Sequence, residues 1–276
     1  SLHVHREEDG EIGWILDLPR KQVYEQEPVI RDAHADHEDD QLFEALCLLY
    51  VAMTRAKRGL YCIAPAPSKN RSALTWHKLF AATKVWTDGE QAGIRQMEES
   101  ARKWGVKRFD LMQIHNLRDW KIHLPTLREW KDEGKIRYIG ITTSHGRFHT
   151  KLMQIMRAEE LDFVQFSYNI GNRTVEQRLL PLAAERGMAT LINRPFQRGE
   201  LFAKVKGKPL PDWAAEFDCA SWAQFFLKFV VSHPAVTCAI PATSKLHHMR
   251  DNMAAGFGRL PDAALRNRMI SHFEAL

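Results

Sequence analysis

From residue 83 to residue 240, short apolar runs alternate with amphipathic stretches of helical period, and little sequence is spent between them. This alternation constrains the chain more than any other feature, because a strand that returns parallel to its neighbour needs a crossover long enough for a helix. The strand candidates are 82–86, 110–115, 137–141, 163–166, 189–192 and 236–240, six in all. The helices between them carry start and stop signals. Thr87 and Glu90 have the spacing of a capping box, ahead of Ile94, Met97, Ala101 and Trp104 at helical spacing, with Gly105 as the stop. Ser221 and Gln224 repeat the opening signal, and Gly134 and Gly187 follow the helices expected around 127–131 and 175–186.

Residues 1–80 break this rhythm. A strand is expected at 11–17, an acidic loop at 25–40, a helix at 41–56 and a strand at 59–64. Charge divides at the same place: residues 1–80 hold 10 Lys and Arg against 13 Asp and Glu, and the remainder hold 29 against 21. A boundary near 80–83 is therefore expected, separating a small segment from the β/α array.

Several classes of function fall away. The longest apolar run, 225–231, is short and interrupted by Lys228, well under the ~18 to 20 residues of a membrane span. No basic and apolar leader opens the chain at Ser1, and a cytoplasmic location is the expectation. Cys47, Cys62, Cys219 and Cys238 form no C-x-x-C pair, and neither His34/His37 nor His247/His248 has zinc-ligand spacing, so no metal site is expected. The net charge of +5 suits an anionic cofactor without implying nucleic acid.

Residues 81–276 resemble the aldo-keto reductase family, entered at its third barrel strand. The resemblance is carried by T-K-V-W at 83–86, D-L-M-Q-I-H-N at 110–116, the run from Leu127 to Thr142, F-V-Q-F-S-Y-N at 163–169, C-A-I-P-A-T-S-K at 238–245 and M-R-D-N at 249–252. It implies an α/β fold, a (β/α)8 TIM barrel lacking its first two strands, with chemistry at the C-terminal ends of strands 3 to 8. It also implies reduction of a small-molecule carbonyl by a nicotinamide cofactor, NADP with NAD as the alternative, in a monomer with no membrane or nucleic-acid partner. Lys84 and His115 match the family's catalytic Lys and His. Gln165 matches the contact to the nicotinamide carboxamide, and Asn252 matches an adenine-end contact.

Other positions depart from the family. Thr142 and Thr143 replace its Ser-Asn pair, and Asn193 replaces the aromatic that stacks on the nicotinamide. His248 replaces the Arg that grips the 2′-phosphate, leaving Lys245, Arg250 and Arg194 as substitutes, with Ser244 in the same segment. The family's Asp-x4-Tyr segment is not found before Lys84. Asp17 and Tyr24 are seven apart, where five is required.

L-C-L-L-Y-V-A-M-T-R-A-K-R-G-L-Y at 46–61 resembles the last conserved motif of UvrD-like superfamily 1 helicases. The resemblance implies a helicase-derived α/β segment in which Arg55 matches an arginine finger. Three readings follow: a reductase impaired by the absent Asp and Tyr, the C-terminal part of a helicase, or an inactive chimera. No G-x-x-x-x-G-K-[ST] loop occurs in the chain, so Arg55 has no phosphate cradle of its own to serve. The chain is expected to hydrolyse no ATP with or without DNA; DNA-stimulated phosphate release that disappears in Arg55→Ala would contradict this.

Overall fold

The computed structural model describes residues 2–6, 12–17, 61–63 and 80–276, apart from 242 and 244. The chain divides into two compact units, Ser1–Leu49 and Tyr50–Leu276. In the first, β1 (Leu2–Arg6) and β2 (Ile12–Asp17) form an antiparallel pair. The strand expected at 11–17 is present, paired with β1. The expected loop at 25–40 and helix at 41–56 lie outside the described residues.

The second unit holds a seven-stranded sheet in chain order. Its strands are β3 (Tyr61–Ile63), β4 (Phe80–Val85), β5 (Phe109–Ile114), β6 (Ile136–Thr142), β7 (Phe163–Ser167), β8 (Ala189–Asn193) and β9 (Cys238–Ala239). Strands β4 to β9 are parallel, and β3 runs antiparallel along β4. Unreversed strand order is the winding of a barrel; a doubly wound sheet would switch direction midway. All six strands expected from the alternation are present.

Helices α1 (Glu90–Trp104), α2 (Trp120–Asp132), α3 (His149–Ala158) and α4 (Leu179–Glu185) alternate with β4 to β8. The short α5 (Glu200–Lys204) and α6 (Trp222–Val231) precede β9, and α7 (Leu246–Ala254) and α8 (Ala263–Ala275) follow it. Each strand divides its side chains between two layers. Val85, Met112, Ile114, Ile139, Ile141, Val164, Phe166 and Ile192 join the main buried cluster with the helices. Ala82, Leu111 and Leu191 form the second cluster, with Tyr138, Phe163 and Cys238 against it.

Two expectations need correction. Thr87 does not cap α1; its carbonyl accepts from His123 Nε2 at 2.8 Å, and the helix starts at Glu90 behind Gly89. Gly89 takes φ 81°, and its N–H donates to Asp119 Oδ2 at 2.7 Å, so a side chain from another loop holds this end of the helix. β9 is shorter than the expected 236–240 because threonine hydroxyls occupy its start. Thr190 N donates to Thr237 Oγ1 at 3.0 Å, and Thr237 N donates to Thr190 Oγ1 at 3.1 Å. The other signals hold: Ser221 Oγ accepts from Gln224 N, and Gly105, Gly134 and Gly187 take positive φ after their helices.

Lys228 of α6 positions the far end of the sheet. It is wholly buried, and its ammonium donates to Phe257 O at 2.6 Å and Arg259 O at 3.0 Å, fixing the turn that follows α7. At the centre, Gly140 lies in register with Phe163, and a Cβ there would stand 2.6 Å from the Phe163 carbonyl oxygen. Gly140→Ala should force β6 and β7 apart and cost about 1–3 kcal/mol. Urea unfolding checks this, and an unchanged midpoint would contradict the close approach.

Candidate active site at the strand ends

The upper layer of the sheet is polar where the lower is apolar. Lys84 follows Ala82 on β4, and Gln113 follows Leu111 on β5, each two residues further along the same strand face. Lys84 and Gln113 are in register, as are Thr142 and Gln165. All four are buried, with Lys84 only 5% exposed and Gln113 fully enclosed. Burial holds the Lys84 ammonium well below the usual lysine range, because a charge taken out of water must be re-solvated by its surroundings.

His115 closes β5 and begins a tight turn, with its ring 4.8 Å from that of Trp86. Its Nδ1 is buried without a hydrogen-bond partner among the described residues. Burial, with the Lys84 charge adding to it, pushes the imidazole down to about 4. At neutral pH His115 is therefore uncharged and able to offer one N–H and one lone pair. The turn behind it is left-handed at Asn116, Leu117 and Asp119, with φ of 53°, 57° and 49°. Asn116 stitches this turn to the next loop: its N–H donates to Thr142 Oγ1 at 3.0 Å, and its Oδ1 accepts from Ser144 N and Oγ, both at 3.1 Å.

The sequence-derived positions separate into engaged and open groups. Thr142 Oγ1 is taken by Asn116, and Thr143 Oγ1 bonds both the N–H and the carbonyl of His145. Asn193 spans two strand ends, accepting from Ser167 Oγ and donating from Nδ2 to Thr143 O at 3.1 Å. By contrast Gln165 Oε1 and Asn252 Nδ2 are buried with no partner among the described residues. Buried polar atoms are rarely left so, and these two, with both amide atoms of Gln113 and Nδ1 of His115, are groups available to a ligand.

Asn252 and His248 share a cavity of about 310 Å3 with Phe196, Phe202, Trp222 and Asp251. Asp251 is fixed there by Ser221 Oγ at 2.7 Å and Gln224 Nε2 at 2.7 Å. Burial, then the neighbouring His247 and Lys245, holds His248 below the ordinary histidine range. Lys245 stands exposed at the start of α7, while Arg194 lines a separate cavity with Ser144 and His145. Ser244 and Arg55 lie outside the described residues. Among the described residues no cluster of His, Cys, Asp or Glu could hold a metal, and no helix is long and apolar enough to cross a membrane.

Gln113, Asn116 and Asn169 are site-building residues that motif matching passes over. For Gln113 a signal exists: a carboxamide in an otherwise apolar strand, two residues before His115 and so on the same face.

The model of the aldo/keto reductase family matches residues 73–267. An uncharacterized oxidoreductase of Schizosaccharomyces pombe is 31% identical over 163 residues, 56% of this chain and 50% of the relative. The NADH-specific methylglyoxal reductase of Escherichia coli is 32% identical over 129 residues, 43% of this chain and 37% of the relative. The chain thus spans about half or less of these relatives. Among solved structures, an aldo-keto reductase from Bacillus halodurans in its holo form superimposes with a TM-score of 0.56 at 22% identity, covering 71% of this chain and 72% of its own. One from Klebsiella pneumoniae, in complex with NADP and acetate, gives 0.55 at 20% identity, covering 70% of this chain and 68% of its own. Both are fold-level likenesses, and they support the barrel winding.

Below pH 6.5 the unfolded chain takes up a proton at His115 that the folded chain refuses until about pH 4. Stability is therefore lost as pH falls through that window, by at most about 3 kcal/mol. Urea midpoints at pH 7 and at pH 4.5 should drop less in His115→Gln than in the parent chain, and equal drops would contradict the buried neutral imidazole.

Proposed function

The chain belongs to the aldo/keto reductase family, and from that premise we propose that it is a nicotinamide-dependent oxidoreductase acting on small carbonyl compounds, slowed by an incomplete proton-donating set. The observation that carries this reading is the set of buried polar groups formed by Lys84 on β4, neutral His115 in the turn just past β5, and Gln165 Oε1 on β7, with Asn252 Nδ2 of α7 also buried and taken by no described residue. Gln165 would hold the carboxamide end of the cofactor and Asn252 its adenine end. When bound, the cofactor supplies the hydride.

The remaining work falls to the chain. His115 donates an N–H to the carbonyl oxygen, polarising it and fixing its orientation. Lys84, whose acidity is raised by burial, stands in the same layer as a group able to release a proton. Neither Tyr138 nor Tyr168 supplies the acid. Tyr138 packs against Phe163 beneath this layer. Tyr168 is fully buried and tied to Glu176 and Arg266, with its phenol pushed up, first by burial.

The cofactor assigned is NADP(H) or NAD(H). A structural neighbour carries NADP, and the Escherichia coli relative is NADH-specific. His248, held below the ordinary histidine range, offers no fixed charge to a 2′-phosphate at neutral pH, which supports use of both forms. A second proposal concerns residues 1–80. Their motif around Arg55 supports helicase ancestry, with no ATP chemistry assigned to it.

Nicotinamide fluorescence titration should detect cofactor binding in the parent chain, weakened about tenfold or more in Asn252→Ala. Replacing residues 1–80 with a family segment that carries the Asp and Tyr should raise aldehyde turnover by about 10² to 10⁴, and His115→Ala should then reduce it. Equal turnover before and after the replacement would overturn the proposal.

A further inference from the structure

Gln113 stands within β5 with its side chain fully enclosed, and neither its Oε1 nor its Nε2 has a hydrogen-bond partner among the described residues. The face beneath it is apolar: Leu111, two residues earlier, clusters with Ala82 and Leu191. A leucine would suit such a position, whereas a carboxamide stripped of water and given no partner is destabilising. His115, two residues later on the same face, repeats the pattern with an enclosed Nδ1 that no described residue engages. Three orphaned polar atoms thus fall on one face of β5 and the turn it enters.

The neighbouring strands frame this face. Gln113 is in register with Gly140 on one side, which brings no side chain, and with Lys84 on the other. Lys84 keeps N–H donors whether charged or neutral, which favours Oε1 of the carboxamide toward β4 and Nε2 toward His115. Trp86 packs on the His115 ring, with centroids 4.8 Å apart, and limits how the imidazole can turn. Residues two apart on one strand face have Cα atoms about 7 Å apart, so the amide and the ring are within reach of one shared water. A buried water is held where two or more polar groups converge without other partners.

We propose that Gln113 is a positioning residue for His115: its Nε2–H donates to a single bound water, that water donates to His115 Nδ1, and the imidazole is kept as the tautomer with its proton on Nε2. A neutral imidazole has one N–H, and the bond made by one ring nitrogen decides which of them carries it. A donor at Nδ1 leaves the N–H on Nε2, where it meets a carbonyl oxygen. An acceptor at Nδ1 would draw the proton inward and turn a lone pair on that oxygen. The consequence for reduction rests on the reductase reading, whereas the tautomer itself does not.

The test is the nitrogen NMR signature of the full chain labelled at its histidine rings, with His115 identified among the 13 histidines by the signal lost in His115→Gln. At neutral pH the parent chain should show Nε2 protonated and Nδ1 bare. Gln113→Met, close in length and without a donor, should raise the Nδ1–H form relative to the Nε2–H form by about tenfold. A parent protonated at Nδ1, or a tautomer ratio unchanged in Gln113→Met, overturns the proposal. Gln113→Leu covers the case in which the methionine variant does not fold. Urea unfolding reads the same bond independently. An idle buried carboxamide makes Gln113→Met the more stable chain, so a raised midpoint overturns the proposal and a midpoint not raised supports it. With an aldehyde and NADPH, Gln113→Met should lower kcat by about tenfold and leave the KM for NADPH within about twofold. An equal kcat overturns the positioning role. If the parent chain turns over no aldehyde, the reductase reading fails, while the nitrogen spectra still decide the tautomer.

Discussion

Parallel strands deliver their C-terminal ends to loops whose backbone groups have no ladder to join, and three asparagines meet that shortage here. Asn116 draws the turn after β5 onto Thr142 and Ser144, Asn169 gathers the loops after β7 and β8, and Asn193 joins the ends of β6, β7 and β8. Each carboxamide is short and works as both donor and acceptor, so it can take the place of a missing backbone partner. The positions of His115 and Arg194 depend on these links, because each sits beside an asparagine that they immobilise. The same bonds explain why Asn193 is a poor substitute for a stacking aromatic: its amide is already committed on both sides.

The fold was legible from period and punctuation because six runs of alternating burial leave little freedom in how a sheet can wind. Lys84 and Gln165 were expected at strand ends, where a barrel gathers its polar side chains, and both are buried on strands of the sheet. What escaped reading depended on contacts distant in sequence. Asp119 holds Gly89 across 30 residues, and the capping signal at Thr87 is local, so it could not register that competition. The bonds that tie the Thr142 and Thr143 hydroxyls into turn structure were likewise not readable from their positions.

Lys84 and His115 raise each other's electrostatic cost, since both are buried bases and a proton on one disfavours a proton on the other. Both groups therefore give up their protons more readily than exposed side chains of the same kind.

The antiparallel β3 has a bearing on how this sheet can meet other chains. Tyr61, Cys62 and Ile63 already use the β4 edge, in the direction opposite to every other strand of the array. An incoming β/α unit would have to evict this short resident before it could pair. A fragment supplied from outside thus faces an exchange and not a vacancy, with a three-residue ladder as the barrier to entry. At the opposite end β9 contributes only Cys238 and Ala239, and among the described residues it is bonded on one side alone. The two ends of the sheet differ in kind: one is latched by a strand of the wrong polarity, and the other offers too short a run of backbone to template a stranger.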